Sequence, residues 1–397
     1  MHNAKKIMLA AAICAALACL CPAASQRITY VHPKNYEMVK DLGDPKLSDE
    51  NSMSIILLGD TQAYTTKRAN ASILRLMMSW IASQKDILNI KAVLGVGDIV
   101  QISNKIKFRS DDIEEIKKGY IDGENFYRQG NPYCEYSSAG MWRAASDAYA
   151  ILDNNLPYFI TTGNHDHGDK MGDARYTRFN EFFGADRNCK NYEALREVGF
   201  DDSGRDALQN AVYKLSLGGK WGDLYVLALE FKPRAEILAW AEKLLNSPKY
   251  RGKRFVLITH AFIKLNGKLS SERGYKVEGK SGDEIWGELV SKHSEIKAVF
   301  CGHHCLPVND FEFSTSFAEM QNDAGAKVAV MMFNPQTLGG GWNGNGGDGW
   351  LRILELMPDG ETVKVKTFSP LFAVSPMTKH FAWRVAPFDM FEFKISK

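Results

Sequence analysis

Five side chains have the donor types and the placing to hold cations: Asp60, Asp98, Asn164, His260 and His303. Carboxylate, imidazole and amide oxygen are ligands that Zn, Fe and Mn accept. Two cations about 3.5–4 Å apart, bridged by a shared carboxylate, would lower the pKa of bound water to about 7 and neutralise charge building on phosphate oxygens. Singly, each residue has a plainer explanation. Asp60 and Asp98 follow glycines and could cap helices, and His260 alone could be a satisfied core histidine. Their common placing argues otherwise, because each stands at or just past the C-terminal end of a short apolar run.

Those runs are residues 54–58, 92–96, 158–160, 255–258 and 298–300, rich in Val, Ile and Leu. Such segments read as strands buried on both faces. Five of them in one sheet would carry the donors to one edge, since ligands of open α/β sheets bind outside the carboxyl ends of the strands. Helix spacing of apolar residues predicts helices over 67–83, 143–152, 174–183, 235–245 and 283–293. Strand–helix alternation predicts an α/β architecture. It breaks at 211–217 with 225–231, and again at 327–333, 350–356 and 362–368, which predicts a second, partly antiparallel sheet.

The motifs in order are Gly59-Asp60-Thr61-Gln62, Gly97-Asp98, Gly163-Asn164-His165-Asp166, His260, and Gly302-His303-His304-Cys305. This series resembles the calcineurin-like metallophosphoesterase superfamily, whose pattern is D-x-H, G-D, G-N-H-D/E, a lone His, then G-H-x-H. The resemblance runs from about residue 54 to 305. It implies a two-sheet β-sandwich flanked by helices. It also implies that Asp98 bridges two metals, that Asn164, His260 and His303 hold one of them, and that Asp60 holds the other. His165 would then be the general acid, oriented by Asp166. Two positions depart from the pattern: Gln62 replaces the His of D-x-H, and Cys305 replaces the last His of G-H-x-H. Both belong by analogy to the Asp60 side. That leaves a modified dinuclear site, a mononuclear enzyme, or a site filled only with substrate, and the first is preferred. A D-x-Q variant occurs in some branches of the superfamily. The expected cofactors are two divalent ions, Zn, Fe or Mn.

Other residues carry weaker signals. His304, next to His303 in an extended segment, is expected on the opposite face. His167 either reaches a substrate phosphate or sits in a solvated loop. Cys301 is expected to face the core, because C-x-x-x-C is not the redox spacing. The glycine-rich run 339–350 lacks a P-loop ending; it reads as a flexible hairpin loop or as a substrate-side loop presenting Trp342. Residues 264–282 read as a mobile lid or an ordinary surface loop.

The chain has 397 residues, 45% hydrophobic and 24% charged, with 49 Lys+Arg against 47 Asp+Glu. That composition supports a globular core. Residues 1–25, with Lys5 and Lys6, an apolar stretch over 7–20 and small residues after it, read as a secretory signal peptide. A lipoprotein using Cys19 or Cys21 is the second reading. The remainder is neutral, without the basic excess of a nucleic-acid binder, so a small phosphorylated substrate is expected, with no nucleic acid and no stable membrane anchor. The expected location is periplasmic or secreted, where a Cys134–Cys189 disulfide is permitted; two free thiols are the alternative. The organisation reads as a linker over 26–50, a catalytic domain over 51–370 with insertions near 102–140 and 184–210, and a C-terminal extension over 371–397. The predicted function is an exported metal-dependent phosphoesterase that hydrolyses a mono- or diester by metal-activated water. The alternative is an exported metal-holding binder without turnover. A serine esterase would need Gly-x-Ser-x-Gly after a strand, and the chain has none.

Overall fold

Strand β2 (Met53–Leu58) shows why the apolar runs matter: all but its first residue are buried, so it needs cover on both faces and partners on both edges. A computed structural model describes residues 37–103, 135–169 and 171–395, and provides both. The leader, Cys134 and most of the 102–140 segment lie outside the described residues.

The described strands form two sheets. The remaining strands of the first sheet are β1 (Val39–Lys40), β3 (Ile90–Gly95), β4 (Tyr158–Ile160), β12 (Leu351–Leu356), β13 (Thr362–Phe368), β14 (Trp383–Arg384) and β15 (Phe391–Lys394). Their order is β1-β14-β13-β12-β2-β3-β4, with β15 also on β13. The second sheet holds β5 (Leu195–Phe200), β6 (Asp206–Gly218), β7 (Gly222–Ala228), β8 (Arg254–Ile258), β9 (Ile296–Cys301), β10 (Thr315–Gln321) and β11 (Lys327–Phe333), in the order β10-β11-β9-β8-β7-β6-β5. In the first sheet β2, β3 and β4 are parallel. In the second, β7, β8, β9 and β11 are parallel.

The sheets pack face to face. Along β7, Leu224, Val226 and Ala228 enter the core between the sheets, while Tyr225 and Leu227 enter a second core on the outer face. That two-residue alternation is the period of a pleated strand. Helix α1 (Arg68–Gln84) buries Leu74, Met77, Met78 and Ile81, one stripe at helical spacing. Helix α2 (Ser138–Tyr149) starts at Ser137, whose hydroxyl accepts the Gly140 N–H at 3.0 Å. Helix α3 (Ala235–Leu245) covers the outer core with Ile237, Leu238, Ala241 and Leu245.

The two-sheet α/β sandwich implied by the resemblance is the observed fold. Several expectations change. The five donor-bearing strands are not in one sheet: three lie in the first and two in the second. The second, partly antiparallel sheet is observed and takes in the 211–217, 225–231 and 327–333 segments, whereas 350–356 and 362–368 join the first sheet. Residues 184–210 are not merely an insertion, since β5 pairs with β6 in the second sheet. The segments read as linker and C-terminal extension are also sheet, because β1 pairs β14, and β14 and β15 pair β13. Arg384, fully buried, binds Asp389 at 2.8 Å and the Ser314 hydroxyl at 3.0 Å, which fixes that tail between the sheets. The helix expected over 174–183 shrinks to the single turn Phe179–Phe182. Upstream, the Arg175 guanidinium instead donates to the Phe231 and Lys232 carbonyls, so the apolar spacing there reflects burial rather than helix. The helix over 283–293 is a turn, Gly282–Ile285, running into a π-turn, Trp286–Val290. No helix among the described residues is long and apolar enough to cross a membrane.

Candidate metal centre

Parallel strands end on the same side of their sheets, so their C-terminal loops meet. The tips of β2, β3 and β4 deliver Asp60, Asp98 and Asn164, and those of β8 and β9 deliver His260 and His303. The approach is close: a Cβ on Gly163 would overlap Asp98 Oδ1, and one on Gly302 would overlap Asp60 Oδ1. Asp98 and His303 adopt φ of 49° and 70°, a region that L-residues rarely occupy. Such strain gathers where a site over-determines the backbone.

Donor atoms converge on His260. Its Nδ1 donates to the Val96 carbonyl at 2.9 Å, so Nε2 faces the cage. Nε2 lies 3.0 Å from Asn164 Oδ1, 3.3 Å from Asp98 Oδ2 and 3.2 Å from His303 Nδ1. His303 Nε2 donates to Glu272 Oε2 at 2.8 Å, which turns its Nδ1 lone pair inward. Outer partners of this kind fix the tautomer of ligating histidines. The donors of Asp98, His260 and His303 lie within 4.8 Å of one another. Burial opposes charge on His260, yet Asp98 and Asp60 hold its pKa up at about 9. A divalent cation in the cage would supply the positive charge that these buried carboxylates favour, in place of a proton on Nε2. Buried carboxylate, imidazole and amide oxygen with lone pairs aimed at one point fit a divalent cation.

The Asp60 side is built differently. Burial raises the pKa of Asp60, and the nearby Asp98 raises it further. Its carboxylate accepts the His303 backbone N–H at 3.1 Å, Asn334 Nδ2 at 2.6 Å and Gln336 Nε2 at 3.1 Å. Gln62, fully buried, donates Nε2 to Asp98 Oδ2 at 3.0 Å, and its Oε1 has no partner. Cys305 is nearby; burial pushes its thiol up to about 12, with Asp60 and Asp98 adding to the shift. Asp60 and Cys305 fall outside both His/Cys/Asp/Glu groups whose donors all lie within 4.8 Å among the described residues. The second of those groups is Glu272, His303 and His304, at the rim.

His165 sits at the mouth of the cage, 8% exposed. Its backbone N–H donates to Asp98 Oδ1 at 2.8 Å and its Nδ1 to the Gln101 carbonyl at 2.9 Å. The expected orientation by Asp166 is corrected here. Asp166 accepts the N–H groups of Ile99, Val100 and Gly163 at 2.9, 3.0 and 2.8 Å, so it ties the β3 and β4 loops together. Burial and the Asp98 charge raise its pKa to about 7.

Three neighbours also differ from expectation. His304 is on the same side as His303, with ring centroids 4.6 Å apart and its Nε2 3.0 Å from Ser270 Oγ; the left-handed turn at His303 cancels the strand alternation. His167 is fully buried between the Arg175 carbonyl and Thr162 Oγ1, and burial lowers its pKa to about 3. It meets neither solvent nor substrate. The 339–350 loop is packed rather than flexible: Asn70 Nδ2 donates to the Gly344 carbonyl and the Gly349 N–H to the Tyr64 hydroxyl, which braces the loop of Gln62. The Trp342 side chain lies outside the described part. Cys301 is fully buried as expected. Cys189 is exposed; its expected partner, Cys134, is not described.

A family model for calcineurin-like phosphoesterases matches residues 53–307, which span the strand tips that carry Asp60, Asp98, Asn164, His260 and His303. The chain belongs to this family. Calcineurin-like phosphoesterases are generally hydrolytic and typically bind divalent metals, and the candidate ligand groups above agree with that. The Bacillus subtilis (strain 168) protein YvnB is 24% identical over 319 residues, covering 80% of this chain and 20% of YvnB. The chain thus spans about a fifth of the length of that relative. Among solved structures, GAP50, the anchor in the inner membrane complex of Plasmodium, is 13% identical with a TM-score of 0.42, over 87% of this chain and 90% of that one.

Sequence reasoning missed Glu272, Asn334 and Gln336. Asn334 and Gln336 follow the parallel strand β11, as Asp60 follows β2 and His303 follows β9. Placement at a strand tip was the available signal.

Proposed function

We propose that this calcineurin-like phosphoesterase hydrolyses a small phosphate mono- or diester with two divalent cations, acting as an exported protein. The observation that carries the reading is the meeting of Asn164 Oδ1, Asp98 Oδ2 and His303 Nδ1 around His260 Nε2. Bound there, divalent cations would polarise phosphoryl oxygens and lower the pKa of water at the cage. The rest of the chemistry belongs to the chain. Asp98, whose two oxygens face His165 N–H and Gln62 Nε2, stands between the two halves and would be the carboxylate shared by both cations. His165, with Nδ1 committed to the Gln101 carbonyl, presents Nε2 to hand a proton to the leaving oxygen. The 264–282 loop, anchored by Glu272 on His303 and by the Val277 N–H on the Gly172 carbonyl, covers the His303 side and limits water there. Export rests on the leader pattern of residues 1–25, and the small substrate on the neutral charge balance of the remainder.

The test is elemental analysis of purified protein with hydrolysis of p-nitrophenyl phosphate and bis-p-nitrophenyl phosphate. The reading expects bound Zn, Fe or Mn and turnover of one ester. Bound metal without turnover of either would favour the binder, whose motivation is the replacement of two expected histidines by Gln62 and Cys305.

A further inference from the structure

Gln336 carries a buried acceptor that a cation in the cage would pair. It is 5% exposed, and its amide nitrogen is committed to Asp60 Oδ2 at 3.1 Å. Its amide oxygen is buried and has no partner. Leaving such an acceptor unpaired costs about 1–3 kcal/mol. Turning the amide over would not help, because the oxygen would then face a carboxylate that can only accept.

The same arrangement occurs once more in the cage. Gln62 places its nitrogen on Asp98 Oδ2 at 3.0 Å and leaves its own oxygen buried and bare. Gln336 is thus to Asp60 what Gln62 is to Asp98. The adjacent Asn334 is the internal contrast. Its nitrogen donates to Asp60 at 2.6 Å and to the His303 carbonyl at 3.0 Å, and its oxygen accepts the Gln336 N–H at 3.3 Å. Asn334 is saturated and serves as scaffold. Gln336 is half-used, beside Cys305 and Asp60, on the side where two expected imidazoles are missing.

We propose that Gln336 is a metal ligand: its amide oxygen joins Asp60, Gln62 and the shared Asp98 in holding the second divalent cation. A set of two carboxylates and two amide oxygens is a harder donor set than one with two imidazoles. It therefore favours Mn2+ over softer ions on this side, while the His260–His303 side keeps an imidazole-rich preference. This assignment rests on reading the cage as a cation site. It deepens that reading by naming a residue that neither the motif pattern nor the strand-end argument had supplied.

The experiment is calorimetric titration of the metal-free full chain with Mn2+, for the native sequence, Gln336→Ala and Gln336→Glu. Native protein binding two ions is the baseline; native protein binding none would defeat the cation-site reading itself, independently of Gln336. Given that baseline, Gln336→Ala should keep the first ion and weaken the second by on the order of 100-fold, at or above the cost of losing even an outer partner. Retention of the first ion also reports that the variant is folded. Gln336→Glu separates the roles, since a carboxylate can ligate but cannot donate to Asp60. It should bind the second ion as tightly as the native chain or more so. If Gln336→Glu is as weak as Gln336→Ala, Gln336 serves only as a donor to Asp60 and the proposal is overturned. Unchanged binding in Gln336→Ala would overturn it equally.

Discussion

The two halves of the cage solve one problem with different chemistry. On the His260 side, every inward donor is a standard ligand, and the outer contacts that fix it are complete: Val96 on His260 and Glu272 on His303. On the Asp60 side, carboxylate charge is held by amide nitrogens, and two amide oxygens remain bare. In the first half both histidines are oriented by hydrogen bonds before an ion arrives. The second is a set of groups whose hydrogen bonding is incomplete until one does. Two amide oxygens can therefore stand in for the two histidines of a dinuclear pattern and keep the charge and the number of donors of the site. The predicted consequence is unequal affinity, with a tight ion beside His260 and a weaker one beside Asp60.

Changes at the boundary should break the comparison most. Asp98 touches both halves, so Asp98→Ala should remove both ions and lower phosphoesterase kcat/KM by on the order of 10³ or more; elemental analysis and a p-nitrophenyl ester assay report both. Next come substitutions that separate the halves. His260→Ala should empty the imidazole-rich side and lower activity by about 10²-fold, whereas Cys305→Ala should weaken only the second ion, by about 10-fold. Unchanged stoichiometry and rate in Cys305→Ala would show that the thiol, which lies beside the four oxygen ligands, plays no part in holding the second ion. Glu272→Ala should act through His303 alone. Freed of its outer partner, the imidazole loses its fixed tautomer, and first-ion affinity should fall by roughly 10-fold in calorimetry. The smallest effect belongs to the brace beneath Gln62. Tyr64→Phe removes the acceptor of the Gly349 N–H and should cost about 1 kcal/mol in denaturant unfolding, with the first ion unaffected.

Much of the first half was legible in the sequence because each donor directly follows an apolar strand. The residues 254–260 and 296–303 carry strand, turn and ligand within a few positions, so local pattern and site coincide. The second half was legible only in part. Gln62 and Cys305 were placed by motif register, but Asn334 and Gln336 lie in an Asn-Pro-Gln turn that local chemistry reads as an ordinary strand exit. Their role comes from β11 running parallel to β9, a long-range pairing that no local period encodes. Glu272 was hidden in the same way, inside a polar loop whose meaning depends on His303. The role of Asp166 was misjudged because its neighbour in sequence is His165, whereas its carboxylate is claimed by the β3 loop 66 and 67 positions away. The terminal segments failed for a different reason: two-residue strands such as β1 and β14 are too short to show a period, and they form because Arg384 and Asp389 pair inside the sandwich.

The most direct check of a two-ion cage is anomalous diffraction from crystals soaked in Mn2+. The predicted result is one peak bounded by Asp98, Asn164, His260 and His303, and a second, weaker peak bounded by Asp60, Gln62, Asp98 and Gln336. A difference map with no peak in contact with Asp98 would contradict it.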